Sequence, residues 1–316
     1  MITIAADLGG TKVKLGVIRD GKAVRQTAIP AISHEGLFSR LPAIADEIDS
    51  LLASLGLDCS RCDVLGLTFP GLVDPAANQV RATYGKWDDA PGIDLGAWVK
   101  ARFSLPLVME NDTRLALLGE WRAGAGVGCD NLVLITLGTG LGTAAIVEGN
   151  LLTGVHGQAG ILGGHFSTNR QGARCTCGNI GCAEAEASSW ALARIAAEHP
   201  EYEASALRMC DSVDYSAVFG LARQGDSCAL ALKAHAIAVW AQMIVNLIHA
   251  YDPERIIVSG GIAAGAGEFF DDLKAAILSH AHTPWGQVDI VTGDLGTSAA
   301  LLGLDALARQ RHPELV

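Results

Sequence analysis

The stretch Asp7-Leu8-Gly9-Gly10-Thr11-Lys12 decides how the chain begins to fold, because of what flanks it. The apolar run 2–7 leads into it, and a second run, 13–18, leaves it and ends at Asp20-Gly21. Two strand-length runs joined by a glycine turn, with a third run at 24–28 after the Asp-Gly, predict an antiparallel meander. The pattern returns later in the chain. Runs 132–137 and 143–147 flank Gly138-Thr139-Gly140-Leu141-Gly142, and Glu148-Gly149-Asn150 makes the next turn. Elsewhere helices alternate with short buried strands. Leu37, Leu41, Ile44, Ile48, Leu51 and Leu52 recur at steps of three and four within a helix at 35–56. Runs 64–68 and 107–110 are strands, while 93–103 and 113–123 are helices. Residues 151–188, rich in Gly and Cys, predict a loop-dominated region. Helices then run through 186–250, followed by strand 255–259, helix 269–280, strand 288–291 and a closing helix at 298–309. The expectation is an α/β chain in two lobes that are structural duplicates of one another.

Composition bounds the rest. At 316 residues, 50% hydrophobic and 18% charged, the chain is long enough for about two domains. Aromatic residues supply only 5% and glycine 37 positions, so the core is aliphatic and the turns are many. A net charge of −11 argues against wholesale nucleic-acid binding. A mean hydropathy of +0.30 argues against intrinsic disorder. Residues 1–7 lack the basic region and long apolar core of a signal peptide, and no apolar run approaches the roughly 18–20 residues that cross a bilayer. Eight cysteines in such a chain read as thiols or metal ligands rather than disulfides. A cytoplasmic location, with neither membrane nor nucleic-acid partner, is the expectation.

Both glycine turns suit an anion, since glycines let backbone N–H groups approach it. Thr11 and Thr139 add hydroxyls, Lys12 a charge, and Asp7 a carboxylate that would hold a Mg²⁺-bound water. Either turn alone is an ordinary hairpin turn; two in matching places point to a nucleotide phosphate chain held from both sides. Neither is a Walker loop, which needs Gly-Lys-Ser/Thr opening a helix. Ser259-Gly260-Gly261-Ile262-Ala263 follows a strand and reads either as backbone lying against an adenine or ribose, or as a plain turn into a helix. Asn111-Asp112 directly follows strand 107–110, with Glu120 eight residues on. A carboxylate there is placed as a base for a hydroxyl, and the same pair makes a good helix cap. His165, Cys175, Cys177 and Cys182, at separations of ten, two and five, make a tetrahedral Zn²⁺ set with no open position, hence a structural site. Cys59-Ser60-Arg61-Cys62 lacks a second ligand pair and reads as two ordinary thiols, and Cys129, Cys210 and Cys228 as packing residues.

In these motifs the chain resembles the ROK (repressor, open reading frame, kinase) family of bacterial sugar kinases, of the sugar kinase–Hsp70–actin superfamily. The likeness runs in order through 7–12, Phe69-Pro70-Gly71 with Asp74, Glu110-Asn111-Asp112 to Gly119-Glu120, 138–142, 154–165, 175–184 and 259–261. Cys-x-Cys-Gly-x-x-Gly-Cys-x-Glu with the preceding histidine is its most specific part. The resemblance implies two ribonuclease H-like lobes, 1–113 plus 297–316 and 114–296, the second carrying the zinc loop 165–184, with ATP and sugar in the cleft between them. Asp112 would be the general base for a sugar hydroxyl, the 6-OH of a hexose; the alternative reading is a catalytically silent sugar-binding sensor of the same fold. Gly71, Asn111, His165 and Glu184 would bind the sugar. Asp7, Gly9, Gly10, Thr11, Lys12, Gly138, Thr139 and Gly140 would surround the phosphates and Mg²⁺, and Gly260 and Gly261 the adenosine. Family repressors carry a helix-turn-helix ahead of the first turn; with Asp7 at the seventh position, a DNA-binding regulator is not the expectation. A homodimer through the helices of 186–250 is the expected assembly.

Two departures bear on the substrate. The family's sugar kinases usually carry Gly-Glu-x-Gly-His, where this chain has Leu162 in place of the glutamate. A hydroxyl acceptor is therefore missing, with Gln158 or His156 as substitutes, and the sugar is expected to differ from plain glucose. The run Tyr84-Gly85-Lys86-Trp87-Asp88-Asp89 also differs from the usual Pro-Asn-Leu of sugar-binding relatives.

Overall fold

The computed structural model describes residues 1–315, so Val316, the last residue of the expected first lobe, lies outside the described residues. The chain divides into two compact units. One comprises Met1–Gly128, Thr153–Ala159 and the C-terminal residues from Asp294; the other comprises Cys129–Leu152 and Gly160–Gly293.

In the first unit, β1 (Ile2–Leu8), β2 (Lys12–Arg19) and β3 (Lys22–Pro30) form the expected antiparallel meander. After α1 (Leu37–Ala53), β4 (Val64–Phe69) pairs parallel with β1. Next come a hairpin of β5 (Gly71–Asp74) and β6 (Gln79–Thr83), then α2 (Leu95–Phe103). β7 (Leu107–Asn111) runs parallel to β4 and passes directly into α3 (Asp112–Ala123). The sheet order is β3-β2-β1-β4-β7. The β5–β6 hairpin was not expected from the sequence. Its strands are short and only Gly71, Val73 and Val80 are buried, so the period-2 signal is too brief to read.

The second unit repeats the plan. It holds β8 (Leu132–Leu137), β9 (Leu141–Val147), β10 (Asn150–Leu151), α4 (Ala183–Ala187), α5 (Ser189–Glu198), α6 (Tyr215–Arg223), α7 (Ser227–Tyr251), β11 (Arg255–Ser259), α8 (Phe270–His280) and β12 (Asp289–Thr292). Its sheet runs β10-β9-β8-β11-β12, the first two pairings antiparallel and the last two parallel, as in the first unit. The duplication expected from two glycine turns is thus present in strand order and direction. Its core gathers the few aromatics: Trp240 lies 5.1 Å from Tyr215 and 5.3 Å from Phe269, ring to ring.

The closing helix α9 (Ala299–Arg311) returns to the first unit and packs along α3. The contact is backbone to backbone. A Cβ on Gly303 would lie 1.8 Å from the Leu115 carbonyl oxygen, and one on Gly119 would lie 2.0 Å from that of Ala299. This packing keeps α3 whole within the first unit, whereas the sequence expectation divided the chain at 113, inside that helix.

A second expectation needs correction. Helix α7 is long and apolar enough to cross a membrane, with a mean hydropathy of 1.6 over 18 residues. Its apolarity has another outlet: Trp240, Met243, Ile244 and Leu247 are sealed in the core of the second unit.

Candidate active site

The junction of β7 and α3 sets the geometry of the first unit. β7 is buried along its length and delivers Asn111 in extended conformation at the helix start. The Asn111 side-chain oxygen accepts from the backbone N–H groups of Thr113 (3.0 Å) and Arg114 (3.2 Å), so Asn111 caps α3. Its amide nitrogen donates to the Gly71 carbonyl at 3.1 Å, which ties the hairpin to the same point. Asp112 is then the first helical residue, half-buried, and its carboxylate accepts from Thr113 N–H at 2.8 Å. Burial pushes the Asp112 carboxyl up to about 6, the negative charge of Asp7 adds to the rise, and the Thr113 N–H and the charge of Lys86 oppose it. A carboxyl of that strength is ionised near neutral pH yet basic enough to take a proton.

Asp7, at the end of β1, is buried and doubly held. Thr68 donates to one carboxylate oxygen at 2.6 Å and Lys14 to the other at 3.1 Å. The cation beside Asp7 is therefore Lys14, while Lys12 stands exposed at the start of β2. The turn itself is closed by Gly9 N–H on the Asp7 carbonyl (3.0 Å), and Ala31 N–H meets the Thr11 carbonyl at 3.0 Å.

In the second unit the turn between β8 and β9 is closed by Gly138 N–H on the Gly140 carbonyl at 3.1 Å. The carbonyls of Gly138 and Thr139 accept from the backbone N–H groups of Ser189 and Trp190 at the head of α5. Glu184, on α4, accepts from Leu141 N–H at 2.9 Å and lies 2.6 Å from where a Gly140 Cβ would stand. Gly260, in left-handed conformation, ends β11 against β8; a Cβ there would meet the Leu137 carbonyl oxygen at 2.4 Å. The second turn, Glu184 and Gly260 thus share one corner of this unit, while Gly261 borders open space.

The ligand atoms of His165, Cys175, Cys177 and Cys182 all lie within 4.8 Å of one another. Cys175 Sγ is 3.5 Å from His165 Nδ1, and Cys177 Sγ is 3.6 Å from Cys182 Sγ. Tetrahedral zinc with bonds of about 2.0–2.3 Å spaces its ligand atoms roughly 3.3–3.8 Å apart, so these two pairs stand at the spacing the ion needs. The loop is shaped for it: Cys175 N–H bonds the Asn179 carbonyl at 2.8 Å and Gly178 N–H the Cys175 carbonyl at 3.0 Å. Burial pushes the Cys182 thiol up to about 12, so its thiolate form calls for a cation. Cys59 and Cys62 make no such set. Cys62 is buried in the core of the first unit, and burial pushes it too up to about 12.

Leu162 stands half-buried, one residue before the single turn Gly163–His165. Glu120 has a structural task. Its carboxylate, sealed from water, accepts from the backbone N–H groups of Ala125 (2.9 Å), Asp294 (3.1 Å) and Leu295 (2.9 Å).

Three residues gain importance only from the structure. Lys14 and Lys86 are two; Arg114 is the third. Its guanidinium, fully buried, meets Glu110 at 3.1 Å and donates to the carbonyls of Thr153 (3.2 Å), Gly157 (2.9 Å) and Ala159 (2.8 Å), pinning segment 153–159 to the head of α3.

Two α/β units of one strand order, each with a glycine turn between its first two strands, and a three-cysteine, one-histidine loop in the second define the two-lobed class of actin-like kinases. The chain belongs to the ROK family, whose model matches residues 3–311. It is 31% identical to a glucokinase of Halalkalibacterium halodurans over 98% of this chain and 95% of that protein. Among solved structures it is similar to a ROK hexokinase from Thermus thermophilus (28% identity, 99% and 100% of the two chains, TM-score 0.82). It is also similar to a ROK family glucokinase from Streptomyces griseus in complex with glucose and AMPPNP (30% identity, 98% and 100%, TM-score 0.77).

Proposed function

We propose that Asp112 is the general base of an ATP-dependent sugar kinase, taking the proton from an acceptor hydroxyl, the 6-OH of a hexose or hexose derivative. The coarse part follows from homology: the family and its full-length kinase relatives make the chain an ATP-dependent sugar phosphotransferase. The finer part is carried by one observation, a half-buried carboxylate held at the first position of α3, directly after the strand end that Asn111 ties to Gly71, and burial raises its affinity for protons. In the step proposed, the hydroxyl gives its proton to Asp112 and its oxygen bonds the γ-phosphorus. The bond from that phosphorus to the bridging oxygen breaks, and its electron pair leaves with ADP. Such transfer asks a protein for positioning, charge neutralisation and a base.

The remaining assignments complete the reading. Gly71, Asn111, His165 and Glu184 bind the sugar, Gly9, Gly10, Thr11, Lys12, Gly138, Thr139 and Gly140 the phosphates, and Gly260 and Gly261 the adenosine. Mg²⁺, when bound, neutralises phosphate charge. Asp7, with both oxygens already bonded, would hold the water around that ion rather than the ion itself. His165, Cys175, Cys177 and Cys182 would hold zinc, which supplies rigidity to the loop bearing His165 and Glu184. Leu162 removes one hydroxyl acceptor, so the preferred sugar lacks or alters a hydroxyl there. Leaving a buried hydroxyl without its acceptor costs on the order of 1–3 kcal/mol. Coupled ADP release with Mg²⁺ across hexoses, deoxyhexoses and N-acetylhexosamines tests the reading. One sugar outside plain glucose is expected to give the highest kcat/KM, and no sugar-dependent ADP from folded, zinc-loaded protein refutes the assignment.

A further inference from the structure

Segment 84–92 is anchored more firmly than a surface loop requires. The Trp87 indole is fully buried and donates to the Leu8 carbonyl at 3.1 Å, although its backbone takes a left-handed φ of 58°, a strained choice for so bulky a residue. Trp87 N–H reaches the Ser33 carbonyl at 3.2 Å, and the Ser33 hydroxyl in turn bonds the Gly10 carbonyl at 2.9 Å. Asp89 accepts from the N–H groups of Leu37 (2.6 Å) and Phe38 (2.9 Å) at the head of α1, and Thr83 bonds Asp88 at 2.9 Å.

What this frame fixes is Lys86, one residue before the strained tryptophan. Its side chain lies over the first glycine turn. A Cβ on Gly10 would meet Lys86 Cδ at 2.5 Å, Cε at 2.6 Å and Nζ at 3.1 Å. The side chain is half-buried, and among the described residues no carboxylate pairs with its ammonium, whereas Lys14 is taken by Asp7. Its charge nevertheless reaches Asp112, where it counters the upward push of burial. An unpaired cation thus stands over the turn assigned to phosphate and within electrostatic reach of the carboxylate assigned to the acceptor.

We propose that Lys86 is a catalytic cation that hydrogen-bonds the non-bridging oxygens of the transferred phosphoryl group. The proposal rests on the kinase reading above. During transfer the ammonium keeps its protons; the acceptor proton goes to Asp112, and the electron pair of the broken phosphorus–oxygen bond leaves with ADP. A cation that meets charge spread over the equatorial oxygens stabilises the transition state more than either nucleotide alone. The plain alternative is a lysine stem covering a glycine with its head in water.

The two differ in which nucleotide feels the charge. Calorimetric titration with Mg²⁺ and either ADP or the ATP analogue AMPPNP, on zinc-loaded wild type, Lys86→Met and Lys86→Arg, separates them. Lys86→Met is expected to bind ADP as the wild type does and AMPPNP about tenfold more weakly, with kcat lowered about a hundredfold, while Lys86→Arg restores most of both. Unchanged AMPPNP affinity and kcat in a Lys86→Met protein that binds ADP normally would overturn the proposal and leave the kinase reading intact. Should Lys86→Met not fold, Lys86→Gln carries the test: weakened AMPPNP binding and lowered kcat with ADP binding kept support the cation, and unchanged AMPPNP affinity and kcat overturn it. Wild-type protein that binds neither nucleotide sinks the kinase reading and this proposal with it.

Discussion

The guanidinium of Arg114, on α3, meets the carboxylate of Glu110, on β7, at 3.1 Å across the junction of the two elements, with both side chains sealed from water. The pair joins the strand that delivers Asp112 to the carbonyls of segment 153–159. Removing one partner leaves the other charge buried and uncompensated. Arg114→Met is therefore expected to destabilise the fold by about 3–5 kcal/mol in urea unfolding. A loss below 1 kcal/mol would show that water reaches Glu110.

Activity should depend on Asp112 in its ionised form. With the carboxyl at about 6, kcat/KM is expected to fall about tenfold per pH unit below that value. Asp7→Asn removes a like charge and moves the acid limb to lower pH; Lys86→Met removes an opposite charge and moves it to higher pH. A pH–rate profile for each variant reads both shifts, and a limb that stays put in both means that another group titrates.

The same carboxyl links pH to stability. Its folded value lies above the ordinary 3.8, so its contribution to stability is fully present below about 4 and is lost as pH rises through about 6. Asp112→Asn is expected to raise Tm relative to wild type at pH 7.5 and to leave it nearly unchanged at pH 4. The opposite ordering would mean that the charged form is favoured by the fold.

Helices α3 and α9 approach too closely for side chains. Gly303→Ala would drive a methyl group into the Leu115 carbonyl, and overpacking of this kind costs about 1–3 kcal/mol or more. Denaturant unfolding of Gly303→Ala beside Gly220→Ala, where a Cβ meets nothing, isolates the clash. Equal midpoints would contradict the packing.

The purified chain should carry one zinc per molecule by elemental analysis, and Cys182→Ser should lose it. Chelation is expected to lower Tm and abolish turnover together, because the loop that holds Glu184 against the second turn is stapled by the same four ligands. Full activity in demonstrably metal-free protein would contradict the structural role.

The chain's architecture was legible wherever a glycine turn separated two long apolar runs, as in β1–β2 and β8–β9, and where a strand ran into a good cap, as at Asn111. Strands that bury little, such as β5 and β6, left no period to read. The zinc set was legible because its ligands are close in sequence and chemically rare. Arg114 and Lys86 were not. Arg114 is held by carbonyls 39, 43 and 45 residues away, and backbone acceptors carry no sequence signature. Lys86 is brought beside Gly10 by a segment anchored through its neighbour Trp87, whose buried indole donates to the Leu8 carbonyl. The atypical run at 84–89 marked a difference without saying what it held. Glu120 shows the converse: a carboxylate near the site by sequence that spends its oxygens on three backbone donors.

The central claim is that Asp112 accepts the proton of a sugar hydroxyl during phosphoryl transfer from ATP. The most direct test is sugar-dependent ADP release by wild type and Asp112→Asn, both zinc-loaded and with nucleotide binding verified. Turnover on one sugar, lowered about a hundred- to ten-thousand-fold in the variant while ATP affinity holds, is the predicted result. Undiminished turnover by Asp112→Asn would contradict it.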